Sequence, residues 1–125
     1  MSYNATIKSG KEIFIPSWDV GVALENLTKA GKYLGSENII NIAELNLAST
    51  IVAIMDAKEP AIVAQLIKHF VCQVRIDGKK ITEDTIDSMF ESNLGEIAEL
   101  FTHVIHAQYS SFFALGLAKE PSPDK

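Results

Sequence analysis

A chain of 125 residues carrying a net charge of −5, with 47% hydrophobic and 22% charged residues, has the balance of one globular domain that buries about two thirds of its unfolded surface. Its lysines are scattered among acids and offer phosphates no cationic face, which excludes nucleic acid as a partner. MSYNATIKSG lacks a signal-peptide core, LASTIVAIM is about half as long as a membrane span, and the lone Cys72 can form no internal disulfide, so a reducing cytoplasm without a membrane is expected.

The first element is a β-hairpin over about residues 5–15, turning at Ser9 and Gly10. A two-residue loop would set Lys8 against Lys11, so a three-residue loop from Ser9 to Lys11 is expected, with Lys8 opposite Glu12 and Ile7 opposite Ile13. Pro16 ends the strand, and Ser17 caps a helix whose first turn holds Trp18 and Asp19. Val20, Leu24, Leu27, Gly31 and Leu34 form a seam along that helix, and Gly35 stops it.

Ser36 to Asn41 reads as a polar connection with Ile39 and Ile40 turned to the core, and a second helix occupies Ile42 to Ala57, burying Leu47, Ala48, Ile51, Ile54 and Met55. Ser49, Thr50 and Val52 make it a mediocre helix former, held by packing. Pro60 opens a third helix, to about Arg75, that buries Ile62, Val63, Leu66, Ile67, Phe70 and Val74. Asp77-Gly78 is a turn between VRI and KKI, which can pair briefly as strands. Thr82 caps a short helix bearing Ile86, Met89 and Phe90.

Asn93 and Glu96 then have the form of a capping box, opening a long amphipathic helix. Leu94, Ile97, Leu100, Phe101, Val104, Ile105, Gln108 and Phe112 share one face, with Glu96, Glu99, His103, His106 and Ser110 opposite. The expected fold is mainly α: four to five helices with a short N-terminal hairpin in one domain, residues 1–118, followed by a disordered tail, 119–125, of Pro, Ser and charges.

His69 with Cys72, and His103 with His106, are two i, i+3 pairs that could hand four ligands to zinc. On a helical wheel both pairs point away from the core, so a zinc-binding module would need outer faces to meet, and no cofactor is expected. Glu99 stands one turn before His103, but no Ser or Cys nucleophile and no glycine-rich loop accompanies them, which disfavours an enzyme. Tyr109, Phe112, Phe113 and Leu115 make the end of the last helix apolar on more than one side, and a second partner, the first helix or another protein, is implied.

Three blocks carry a resemblance: IPSWDVGVALENLTKAGKYLG (15–35), VRIDGKKIT (74–82), and the stretch from Ile86 to Phe113 ending in paired aromatics. Together they resemble the tail assembly chaperones of tailed bacteriophages. The resemblance implies a helical, non-enzymatic protein of the host cytoplasm that binds the tape measure protein while tail tube subunits polymerise, and that is absent from the mature virion. Many such proteins also occur in a longer, frameshifted form. The expected contact residues are Tyr109, Phe112, Phe113 and Leu115, with Trp18 if exposed, and the tail tube protein is a further candidate partner. A homo-oligomer is left open, and the competing assignment is a small structural protein retained in the particle.

Overall fold

The computed structural model describes residues 2–90 and 93–117, the side chains of Met89, Phe90 and Leu117 excepted. The expected tail at 119–125 lies outside the described residues. In order come β1 (Ser2–Thr6), β2 (Glu12–Pro16), α1 (Val20–Leu34), α2 (Ser36–Ile42), α3 (Leu47–Met55), α4 (Pro60–Val71), β3 (Arg75–Ile76), β4 (Lys79–Lys80), α5 (Ile86–Phe90) and α6 (Leu94–Leu117). The fold is mainly helical, as the residues imply, with six helices among the described residues where four to five are expected.

The hairpin belongs to a four-stranded antiparallel sheet in the order β1-β2-β3-β4. Its register differs from the expected one: Thr6 faces Glu12 and Ala5 faces Ile13 across a five-residue loop, Ile7–Lys11. The shift is two residues, so each side chain keeps its face. Its cause is Ile7, which leaves the ladder to enter the core while Gly10, at φ +93°, reverses the chain. VRI and KKI do pair, around a turn with Asp77 at φ +50° and Gly78 at φ +85°. Asp77 ties them to the hairpin, its N–H donating to the Glu12 carbonyl (2.8 Å) and its Oδ1 accepting the Glu12 N–H (3.0 Å).

α1 starts later than expected, at Asp19 rather than Ser17, because the Asp19 carboxylate accepts the Val22 N–H at 2.9 Å. Its inward residues are Ala23, Asn26, Leu27, Ala30 and Leu34; Val20 and Leu24 of the expected seam face solvent. Gly35, at φ +93°, ends the helix as read.

The region 36–57 departs most from expectation. The presumed polar connection is α2, with Ile39 and Ile42 buried, and the presumed single helix is broken by a turn in which Leu45 adopts φ +64° and the Asn46 side chain caps α3. α3 then faces the core with Thr50 and Ala53, not with Ile51, Ile54 and Met55, which are exposed. A buried hydrogen bond sets this rotation. Thr102 Oγ1 donates to the Ala98 carbonyl (2.8 Å), so Thr50 Oγ1 must be the donor in its 2.6 Å contact with Thr102. α4 buries Val63, Leu66, Ile67, Phe70 and Val71 but leaves Ile62 exposed, and it ends at Cys72 rather than Arg75 because Gln73, at φ +84°, turns the chain into β3.

α6 runs through the centre, packing on α2, α3, α4 and α5. Only its middle is core: Leu100, Phe101, Val104 and Ile105 are fully buried, whereas Leu94 and Phe112, at the ends of the same stripe, are exposed because the helix outruns its neighbours.

Candidate functional site

The start of α1 meets the end of α6 through polar clamps around an aromatic cluster. Gln108, which sits in the apolar stripe, accepts the Trp18 N–H with Oε1 (3.1 Å) and donates from Nε2 to the Pro16 carbonyl (2.8 Å). One amide thus satisfies both backbone groups at the strand-to-helix corner. Tyr109 is 3% exposed and donates its hydroxyl to the Ala23 carbonyl at 2.7 Å; burial pushes its pKa well above the ordinary phenol value. Trp18 meets Phe70 edge-on with centroids 5.1 Å apart, and lies 6.2 Å from Tyr109.

The five expected contact residues therefore separate. Tyr109 is interior and Trp18 half-buried, both fixing α1 to α6. Phe113 is half-buried with its ring 6.2 Å from Tyr109. Phe112 (54% exposed) and Leu115 (83%) are exposed on the last turns of α6, the Phe112 ring 5.6 Å from that of Phe113. The same end holds Val20 and Leu24, exposed within a turn of Ala23 and absent from the expected contact set. Their signal was Gln108: a polar residue inside an apolar stripe marks where the stripe meets backbone rather than a packed side chain, and so where α1 docks.

The two histidines of α6 have structural partners. The Tyr3 hydroxyl and His103 Nδ1 are 2.9 Å apart, and the Tyr3 ring lies 5.8 Å from His103 and 5.3 Å from His106. His106 Nδ1 is 2.8 Å from the Ala43 carbonyl at the end of α2; a carbonyl only accepts, so the proton is on Nδ1. This overturns the expectation that both rings face solvent, because the sheet and α2 cover that side of α6. His69 and Cys72 instead line a cleft of about 420 Å³ with Trp18, Lys80 and Glu83. Burial raises the Cys72 thiol, and Glu83 raises it further, against a lowering by Lys80. Among the described residues no group of three or more His, Cys, Asp or Glu is gathered to hold a metal ion.

Glu96 and Glu99 serve the hairpin loop. Asn93 Oδ1 caps the Glu96 N–H (3.1 Å), but Glu96 does not reach back to backbone as a capping box would; its carboxylate takes Asn93 Nδ2 (2.9 Å), Lys11 Nζ (3.0 Å) and Ser9 Oγ (3.3 Å). Glu99 accepts the Lys8 N–H at 2.9 Å. Both carboxylates are thereby committed to holding strand to helix.

Glu96, Glu99, His103 and His106 are thus spent on structure in a small helical module whose last helix ends in exposed apolar side chains. A family model described as phage tail assembly chaperone protein, TAC, matches residues 9–119, and the chain belongs to that non-enzymatic family. No curated protein and no solved structure matches it. Membership implies tail proteins as partners. Among the described residues no helix is long and apolar enough to cross a membrane.

Proposed function

We propose that the protein binds the tape measure protein through the projecting end of α6 and the adjoining first turn of α1, shielding it in the host cytoplasm while tail tube subunits polymerise. The observation that carries this reading is the exposure of Phe112 and Leu115 at the last turns of α6, together with that of Val20 and Leu24 on α1. A tape measure protein is a long helical chain whose apolar stripe is open to water until the tube encloses it; an exposed aliphatic and aromatic end is a surface on which such a stripe can dock reversibly. Trp18 and Tyr109 form the floor of the contact and hold its two helices together, Phe113 supplies its inner edge, and Phe112 and Leu115 touch the client. The tail tube protein is a second partner, and the chaperone leaves before the virion matures.

Co-expression of the tape measure protein with Phe112→Ser and Leu115→Ser variants tests the contact. Both lie on exposed turns, so the fold persists while recovery of the soluble complex falls at least tenfold; undiminished recovery from the double variant refutes the docking site. Mass spectrometry of purified virions separates this role from that of a structural component, since stoichiometric chain in mature tails defeats a chaperone assignment.

A further inference from the structure

Asn26 stands one turn beyond Val22 on α1 and is 3% exposed, yet its Nδ2 has no hydrogen-bond partner among the described residues. A buried amide donor left unpaired carries a desolvation cost that an apolar residue in its place would not. Asn26 lines the cleft of about 420 Å³ that also holds Trp18, Val22, Cys72, Lys80 and Glu83. None of Phe112, Leu115, Val20 and Leu24 lines this cleft, so it is separate from the contact at the end of α6. His69 and Glu83 are shared with a second cleft of about 660 Å³ that follows α1 past Lys29 to Tyr33, and the two form one groove. Trp18, Val22, Asn26, Lys29 and Tyr33 recur at the four- and three-residue steps of a single helix face. They span about 22 Å along the helix axis, the length of six or seven residues of extended chain.

We propose that this groove binds an extended segment of another polypeptide, a main-chain carbonyl accepting from Asn26 Nδ2 and an aliphatic side chain resting on Trp18 and Val22. The chemistry of the lining selects this occupant. An amide nitrogen only donates, so what completes Asn26 is an acceptor. Lys80 and Glu83 bring opposite charges to the cleft, which favours an uncharged carbonyl over a phosphate or a carboxylate. The half-buried Trp18 and the exposed Val22 add an apolar wall on the α1 side, on which a side chain flanking that carbonyl can lie. The length of the groove suits a strand of peptide, whereas a single small amide would fill only the Asn26 end. The site thus reads main chain, where the end of α6 offers an apolar surface to a helical stripe.

Cys72 and Trp18 are the only cysteine and the only tryptophan of the chain, and both line the groove, so alkylation and fluorescence report on it directly. The probe is a neutral capped hexapeptide, acetyl-Ser-Leu-Ser-Leu-Ser-Gly-amide, added to the full chain. At saturation it slows iodoacetamide alkylation of Cys72 by about fivefold or more and moves Trp18 emission to shorter wavelength over the same concentration range. Asn26→Leu raises the Kd of the peptide about tenfold with an unchanged far-ultraviolet circular dichroism spectrum. Val22→Ser, at an exposed position, raises it about threefold. The double variant Phe112→Ser with Leu115→Ser leaves the protection intact, which keeps this result independent of the docking site at the end of α6. Absence of protection overturns the proposal, as does an Asn26→Leu variant that binds the peptide like the wild type. Equal protection by inorganic phosphate assigns the groove to an anion, and equal protection by N-acetyl-leucine methylamide at the same concentration assigns it to a small amide; either overturns it too.

Discussion

Two hydroxyls, Thr50 and Thr102, illustrate how little chemistry fixes the pose of a helix. Because Thr102 spends its proton on Ala98, Thr102→Val leaves the buried Thr50 hydroxyl without its acceptor and should cost about 1–3 kcal/mol in urea unfolding. Thr50→Val leaves Thr102 bonded to Ala98 and should cost distinctly less. His103 gives a pH signature. Burial disfavours its imidazolium and lowers its pKa; Glu99 opposes this and His106 adds to it. Protonation is therefore easier in the unfolded chain. The stability involved is complete above the unfolded value of 6.5 and is lost as pH falls through the lower folded value. Thermal melts from pH 7.5 downward should show a decline that His103→Gln flattens. Neither partnership was legible in the sequence, because Tyr3 and His103 are 100 residues apart and a helical wheel reports which residues share a face, not what lies across from it.

At the scale of elements, the sequence reveals helices through apolar periodicity and ends through turn and cap residues, and it did so for the end of α1 at Gly35 and the starts of α4 at Pro60 and α6 at Asn93. It failed where small residues, not large ones, face inward. In α3 the periodicity of Ile51, Ile54 and Met55 is real but points to solvent, and the break before it rests on Leu45 in a left-handed conformation that aliphatic residues rarely adopt. The Asn46 cap was the available signal. Gly35 tests the opposite case, a boundary that was legible. At φ +93°, and with an added Cβ only 3.2 Å from Asn38 Nδ2, Gly35→Ala should lower stability by about 1–2 kcal/mol in chemical denaturation. The candidate site was half legible: the excess of aromatics at the end of α6 could be counted, but how Tyr109, Trp18 and Phe112 divide between interior and surface depends on where α1 docks.

Across the whole molecule, the sheet is joined to α6 by charge as much as by apolar packing. The Glu96 carboxylate is nearly inaccessible and has Lys11 as its counter-ion, whereas the Lys29–Glu25 pair lies in solvent. Lys11→Met should therefore lower unfolding free energy by about 1–2 kcal/mol, and Lys29→Met by under about 0.5 kcal/mol. Calorimetry of the two variants side by side checks the contrast. The sequence could not supply this link, since Glu96 reads as the acid of a capping box with Asn93 and nothing local connects it to the loop at Ser9.

Those stitches from Tyr3, Lys8 and Lys11 to α6 also order events in time. β1 and its loop have their partners in α6, far later along the chain, so the fold cannot close until α6 has left the ribosome. Until then a nascent chain carries bare isoleucines and is itself in need of protection.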